Sequence, residues 1–182
     1  IEVDGRRFLP SDFIKEVSGW TRTINIRGAS VHTTLAFRCG IVLGITAFCP
    51  YETSSAWFRF ELKSSDGSTH NVRIMPSLKL HLRPDIGGGK ILDTVSIRNT
   101  DSCSASISGK VSKSGGHKPL ETYKLDYRIE ASNGELSAGD SFLGAVFELT
   151  ASDKPVSADL AVHCGSIGER RGFDDAYTAH RA

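Results

Sequence analysis

Apolar and polar residues alternate one by one along several segments of this chain, and this alternation restricts the fold more than any other sequence feature. From Tyr123 to Ile129 the odd-numbered residues are apolar or aromatic and the even-numbered residues are charged. Residues 57–63 and 158–164 show the same two-residue period. Successive side chains of a β-strand point to opposite faces of its sheet, so this period predicts strands with one buried face. Such strands are typical of antiparallel sheets.

The number and spacing of these segments predict the fold class. About eight to ten strand-like segments follow one another at intervals of roughly 10–20 residues, separated by turn residues such as Asp66-Gly67 and Ser132-Asn133-Gly134. The pattern predicts an all-β protein, an antiparallel β-sandwich or barrel, with one or two short helices. No repeat or linker divides the 182 residues, which suit a single domain.

One segment near the start has a helical pattern. Residues 10–19 begin with a proline and a capping Ser11, and they end at Gly19. The spacing predicts a helix of about two turns that places Phe13, Ile14 and Val17 on one face.

The segment 35–49 is compatible with two arrangements. Its residues suit either one central strand that is buried on both faces or two strands that meet at Gly40 or Gly44. A Cys39–Cys49 disulfide requires a hairpin at one of those glycines, because one straight strand would hold the cysteines roughly 33 Å apart. We expect four free thiols, Cys39, Cys49, Cys103 and Cys164, and a reducing compartment.

The composition of the chain argues against three classes of protein. The net charge is +1 and hydrophobic residues make up 39% of the chain, which argues against a strongly basic nucleic-acid binder and against a disordered chain. No apolar run is long enough to predict a membrane span.

The motifs of common catalytic and metal sites are incomplete. Residues 86–90 lack the strand–loop–helix context of a phosphate loop, and residues 165–168 lack the pattern of a nucleophile elbow. No two of the six histidines have the spacing of a common metal motif. We therefore expect no enzyme activity, no catalytic residues, no cofactor and no metal.

Two groups of basic residues are candidates for contact with phosphate. Lys79, His81 and Arg83 would lie in a row on one strand face, and Arg6 and Arg7 lie near the start of the chain. Such residues either bind a polyanion through charge or form the solvated outside of a sheet.

The C-terminal third consists of three strand-like segments, 123–129, 142–150 and 158–164, with a turn at 132–134 after the first. In the order and spacing of these segments it resembles the coat-protein domain of plant picorna-like viruses, the comovirus, nepovirus and cheravirus group. Residues 18–28 look like the helix-then-strand passage of such domains. The resemblance covers about 60 residues and lies in the spacing of strand-like segments, not in a signature motif. A start other than Met and a mass near 20 kDa suit a subunit cut from a polyprotein.

This resemblance implies an eight-stranded jelly roll over residues 1–182, with an N-terminal arm and short helix at 1–20 and a polar tail at 166–182. The protein would self-assemble with other coat-protein subunits into an icosahedral shell in the virion, after assembly in the host cytoplasm. Genomic RNA would be a weak, sequence-independent partner, contacted through Arg6 and Arg7 first and through Lys79, His81 and Arg83 second.

A second hypothesis is a carbohydrate-binding or adhesin-like β-sandwich. A sugar platform needs exposed aromatic rings. The candidates are Trp20, Tyr51 and Trp57.

Overall fold

The computed structural model describes residues 1–26, 29–50, 54–79, 94–101, 104–112, 122–139, 142–164 and 173–181. The first elements are short: strands β1 (Glu2–Val3) and β2 (Arg6–Arg7), a 3-10 turn (Pro10–Asp12) and helix α1 (Phe13–Glu16). Twelve further strands and one helix follow: β3 (Val17–Asn25), β4 (Ser30–Phe37), β5 (Ile41–Phe48), β6 (Ser55–Ser64), β7 (His70–Ile74), β8 (Ser77–Lys79), β9 (Thr94–Asp101), β10 (Ser104–Ser112), β11 (Thr122–Ala131), β12 (Glu135–Gly139), β13 (Phe142–Ala151), β14 (Val156–Cys164) and α2 (Phe173–Arg181).

These strands form two antiparallel sheets. The larger sheet has the order β3-β4-β5-β6-β14-β11-β10-β9, and the smaller has the order β12-β13-β7-β1-β2, with β8 also paired to β13. The last strand, β14, lies inside the larger sheet between β6 and β11. The prediction of an all-β antiparallel sandwich with short helices is confirmed.

The strand order differs in detail from that of an eight-stranded jelly roll. A jelly roll is built from two Greek keys. Here consecutive strands lie side by side in one sheet, first β3 to β6 and then β9 to β11. These two meanders arise because short turns join neighbouring strands, as at Gly40 between β4 and β5.

One hydrophobic core lies between the two sheets. The larger sheet contributes Leu43, Leu62 and Ile129, and the smaller contributes Val72 and Phe147. Leu62 and Phe147 are fully buried. Ile129 is buried and the next residue, Glu130, lies on the opposite face, as the alternation in that segment predicts.

The predicted helix at 10–19 is wrong in length. Helix α1 ends at Glu16, and Val17 begins β3 and packs against the core. The turn between β4 and β5 ends the helix, because Arg38 donates hydrogen bonds to the carbonyls of Lys15 (3.1 Å) and Glu16 (2.8 Å). Phe13 packs edge-on against Phe37, but Ile14 is 92% exposed and does not share that buried face.

The second arrangement considered for residues 35–49 is the observed one. β4 and β5 meet at Gly40, whose φ of +86° is readily adopted only by glycine. A Cβ at this position would also collide with the carboxylate of Asp66. Cys39 and Cys49 are free thiols, as expected, because β5 separates them.

Candidate interaction surface

The N-terminal arginines proposed to contact RNA lie on β2, in a hairpin with β1. Asp4 and Gly5 form its two-residue turn, both with positive φ. The guanidinium of Arg6 lies 2.6 Å from the carboxylate of Glu16 and 4.8 Å from the centre of the Phe8 ring. Both arginines are exposed, but Arg6 is already paired with an acid.

The second basic group is only partly within the described residues. Lys79 ends β8, where its backbone pairs with Phe142, while His81 and Arg83 lie outside the described residues. Arg73, on neighbouring β7, lies 3.2 Å from Glu148 and 3.9 Å from Glu2. These two acids offset its charge, so this part of the surface is mixed rather than basic.

The exposed large apolar residues of the described chain are concentrated in one stretch of the sequence. All five large hydrophobic residues that are exposed in the described chain fall between residues 9 and 26: Leu9, Ile14, Trp20, Ile24 and Ile26. Monomeric proteins rarely expose contiguous apolar patches, and such patches mark contact sites.

Two of these residues continue the hydrophobic core onto strand β3. Trp20, Arg22 and Ile24 point to the core side of the larger sheet, and we call them the β3 face. One row of directly paired residues is Trp20–Leu35–Leu43–Leu62, and its exposure falls from 67% at Trp20 to 0% at Leu62. A second row is Ile24–Val31–Ala47–Phe58–Leu160, with Ile24 62% exposed. The core side of the sheet is thus covered in its middle and open at β3.

Strand β3 also ends its sheet, and it carries little of the charge that usually protects such an edge. Among the described strands it pairs only with β4, and its nine residues include one charged side chain, Arg22, and no proline. The edge strand β2 has two residues and both are arginine. The remaining edge strands among those described carry at least one charged residue over shorter lengths: Lys79 in β8, Glu135 in β12, and Arg98 with Asp101 in β9.

The opposite face of the larger sheet is covered by helix α2, which lies within the segment predicted to be a polar tail. Phe173 and Tyr177 pack on Phe48 with ring centres 5.2 and 5.0 Å apart, and Phe173 also contacts Trp57. Trp57 is only 8% exposed. The suggestion that Trp57 could be an exposed platform for a sugar is therefore wrong, because α2 covers it; Tyr51 lies outside the described residues.

Arg59 joins this helix to the sheet. Its guanidinium makes two hydrogen bonds to Asp159 on β14 (2.8 and 2.9 Å) and two to Asp174 on α2 (2.7 and 3.2 Å). It also lies 4.2 Å from the centre of the Phe173 ring. The hydrogen bonds to Asp159 and Asp174 raise the pKa of Arg59, and Arg59 lowers the pKa of Asp174.

A small polar group lies beside this cluster. The ring of His163 packs edge-on against Trp57, and its Nε2 lies 3.7 Å from the carboxylate of Glu130, which also pairs with Arg128 at 3.1 Å. Burial lowers the pKa of His163 and so favours the neutral ring. These contacts connect β11 and β14 on the face of the larger sheet that helix α2 covers.

A second histidine lies between two carboxylates at the turn end of the sandwich. His70 Nδ1 lies 2.7 Å from Asp4 and Nε2 lies 3.3 Å from Asp66. The hydrogen bond to Asp4 raises the pKa of His70, and bonds from Ser68 and Ser64 lower the pKa of Asp66 to about 2. These bonds tie the β1–β2 hairpin to the β6–β7 turn, which is a structural role.

The described residues bring together no group of three or more His, Cys, Asp or Glu side chains suited to a metal ion. Neither described helix is long and apolar enough to cross a membrane. What stands out chemically is an open apolar edge rather than a cluster of reactive groups.

Comparison with known proteins gives a fold and no family. No family model matches the chain, and no curated protein matches it. Among solved structures, a protein described as a kojibiose phosphorylase from the human microbiome superposes with a TM-score of 0.64 at 12% sequence identity. The match covers 92% of this chain and 25% of that chain, so this chain spans about a quarter of the length of that structure.

Sequence reasoning missed three features: helix α2, the Asp4-Gly5 hairpin and the openness of the β3 face. Helix α2 has apolar or half-apolar residues at the helical spacing 173, 176, 177 and 180, which its acidic and polar neighbours obscure. The hairpin at Asp4-Gly5 had a clear signal, since Asp-Gly is a favoured two-residue turn. The openness of the β3 face had no local signal, because it depends on where the smaller sheet ends.

Proposed function

We propose that this chain is a non-catalytic β-sandwich module of a larger carbohydrate-active protein. The observation that carries this proposal is the structural match, in which nearly the whole of this chain corresponds to one quarter of a sugar phosphorylase chain. A fold by itself does not define an activity. In this proposal the residues that catalyse phosphorolysis lie in another part of the polypeptide.

Two features of the molecule support a role in contact rather than in catalysis. The β3 face is apolar and open, which suits burial against another surface. The ionisable clusters at Arg59 and His70 serve to hold structural elements together. Trp20 is an exposed aromatic ring, but its direct neighbour across the strands is Leu35 rather than a polar group that would hold a sugar hydroxyl.

The test is the size and activity of the native protein. An antibody raised against residues 1–182 should detect, on a denaturing gel of the source cells, a polypeptide several times larger than 19.7 kDa. The immunoprecipitate should cleave kojibiose or a related disaccharide in a phosphate-dependent reaction, and the isolated chain should not. A native polypeptide of about 20 kDa, or an immunoprecipitate without activity on any disaccharide tested, would contradict the proposal.

The coat-protein hypothesis is a second candidate, and the unprotected β3 edge is the observation that favours it. A shell subunit needs exposed surfaces that become buried between copies, and many modest contacts add up in a closed shell. In that case the native material is a virion particle of megadalton mass that contains RNA. Arg6→Ala with Arg7→Ala would lower its RNA content, because these two side chains would contact phosphate.

Size-exclusion chromatography of native material separates the two candidates. Particles of megadalton mass that contain RNA support the coat protein, whereas a protein of several tens of kilodaltons without RNA supports the module. A variant with Lys63→Ala and Lys154→Ala is the control for the arginine pair, because it removes two basic residues of β6 and of the β13–β14 turn. Equal loss of RNA in both variants would show that Arg6 and Arg7 have no special role.

A further inference from the structure

Strand β3 combines two properties that seldom occur together in an isolated domain. It is the end strand of its sheet among the described strands, and its core-side residues Trp20 and Ile24 are exposed. An edge of this kind presents unpaired backbone N–H and C=O groups that can pair with another strand. We infer that β3 pairs in antiparallel fashion with β3 of a second copy of this chain, across a two-fold axis at Thr21.

The strand's own symmetry favours a second copy as the occupant. Thr21 is the central residue of Val17–Asn25, and an axis there pairs Gly19–Thr23 with the same residues of the second copy, outside the β-bulge between Val17 and Gly19. In this register Trp20 lies opposite Arg22 of the second copy, and Arg22 lies opposite its Trp20. A guanidinium next to an indole ring is a favourable cation–π pair, which occurs twice in a two-fold interface.

Neighbouring registers fit less well. An axis at Arg22 would place the two arginines directly opposite each other, and like charges in that position are destabilising. An axis at Trp20 would bring the β-bulge between Val17 and Gly19 closer to the axis and would shorten the regular paired stretch to Gly19–Thr21. If each residue of β3 instead paired with the residue next to its partner in the Thr21 register, the apolar face of one copy would lie beside the polar face of the other.

The other edges of the described sheets do not offer the same surface. β2 is two residues long and carries two arginines, which would repel their copies across an axis. β12 and β9 are shorter than β3, and each carries charged residues. Pairing at β3 would also reduce the exposure of Trp20, because its ring would lie beside Arg22 on the core side of the second copy.

This inference does not depend on the proposed function, since either a module or a shell subunit could pair in this way. Its first test is analytical ultracentrifugation of the 182-residue chain over a range of concentrations. We expect reversible formation of a dimer with twice the mass of the 19.7 kDa chain. A chain that stays monomeric up to the highest micromolar concentrations would overturn the inference and point to a different partner for this surface.

The second test uses variants that keep the fold, because each changed residue is exposed. Trp20→Lys with Ile24→Lys places charges on the β3 face and should abolish the dimer at concentrations where the unchanged chain is dimeric. The matched control is Leu9→Lys with Ile14→Lys, which replaces two other exposed apolar residues with the same charges outside β3. The control should remain dimeric. A dimer that survives the β3 variant would place the contact elsewhere.

The third test measures the register. In an antiparallel pair, residues directly opposite each other have Cα atoms about 4.5–5.5 Å apart, which a disulfide can span. Thr21→Cys should therefore link two copies when the oxidant diamide is added, in a chain where Cys49 is replaced by serine. Thr23→Cys is the control, because its copies would lie roughly 13 Å apart along the strands. Linking at residue 23 and not at 21 would rule out the axis at Thr21.

Discussion

The two faces of the larger sheet carry aromatic residues of similar size in very different surroundings. On one face Trp57 lies under helix α2 and is almost fully buried, whereas on the other face Trp20 lies at the end of an apolar row and is mostly exposed. The alternation of residues gives both tryptophans a defined side of the sheet. What separates them is the presence of a covering element, and that depends on tertiary structure.

The largest effect should come from comparing the two ends of a single apolar row. Leu62→Ala removes a fully buried side chain and should lower the free energy of unfolding by about 4 kcal/mol, since a cavity remains. Trp20→Ala, in the same row, should change it by less than about 0.5 kcal/mol, because its ring is already largely in water. Urea denaturation at low protein concentration measures both. Equal losses would mean that the β3 face is covered in the free chain.

The next largest loss of stability should come from changing helix α2, which covers Trp57. Phe173→Ala should lower the free energy of unfolding by about 3 kcal/mol, because the ring fills the space between Phe48, Trp57 and Arg59. Acrylamide should then quench the fluorescence of Trp57 more strongly, in a chain where Trp20 is replaced by phenylalanine. Thr178→Ala, on the exposed side of α2, is the control and should leave the quenching unchanged. If Phe173→Ala also leaves it unchanged, α2 is not what shields Trp57.

A smaller loss of stability should follow from breaking the ion pairs of Arg59, which join helix α2 to the larger sheet. Arg59→Met leaves the half-buried Asp159 without its two hydrogen bonds and should cost about 1–2 kcal/mol. Asp174→Asn removes the pairing of an exposed carboxylate and should cost less than about 0.5 kcal/mol. Thermal or urea denaturation compares the two variants. A larger loss for Asp174→Asn would mean that the contact to the helix matters more than the contact within the sheet.

The smallest effect is a pH dependence confined to the His70 corner. The folded pKa of His70 lies above 6.5, so its stabilising contribution is complete below pH 6.5 and is lost as the pH rises through the folded value. The pKa values of Asp4 and Asp66 are lowered from 3.8, that of Asp66 to about 2, so their contribution is present above pH 3.8 and is lost as the pH falls toward 2. Stability should therefore be greatest between these limits.

Substitution of the histidine isolates this dependence. His70→Gln should remove the decline of stability on the alkaline side of the range. His32→Gln is the control, because the ring of His32 bonds to Thr34 and Thr46 rather than to carboxylates. If the unfolding free energy depends on pH in the same way in the native chain and in His70→Gln, the contacts of His70 do not contribute to the pH dependence of stability.

The sequence allowed the strands and their buried faces to be predicted, because that information is local. The segments around residues 57–63, 123–129 and 158–164 are strands, and Ile129 and Leu62 are core residues. The predicted helix at 10–19 was too long because its end is set by Arg38, which lies on a turn more than twenty residues away. Strand order was beyond local reasoning, since hydrophobic alternation does not specify which strands are neighbours.

The candidate site was less predictable for the same reason. RNA contact through Arg6 and Arg7 stays a prediction, and the pairing of Arg6 with Glu16 had no signal in the sequence because it comes from the fold of the N-terminal hairpin. Trp57 is buried, contrary to the expectation of an exposed aromatic platform, whereas Trp20, named for the same role, is exposed. For Arg6 the neighbouring element is helix α1, and for Trp57 it is helix α2. The residue pattern does not specify where either helix packs.

The position of β14 has a consequence for how the chain is made. The ribosome delivers β3 to β6 and β9 to β11 as two separate meanders, each stabilised by contacts that are local in sequence. The strand that joins them, β14, is synthesised last, and its partner Arg59 precedes Asp159 by 100 residues. Until β14 leaves the ribosome, β6 and β11 each have an unpaired edge. The nascent chain is most prone to aggregate during that interval, because unpaired strand edges can pair with other chains.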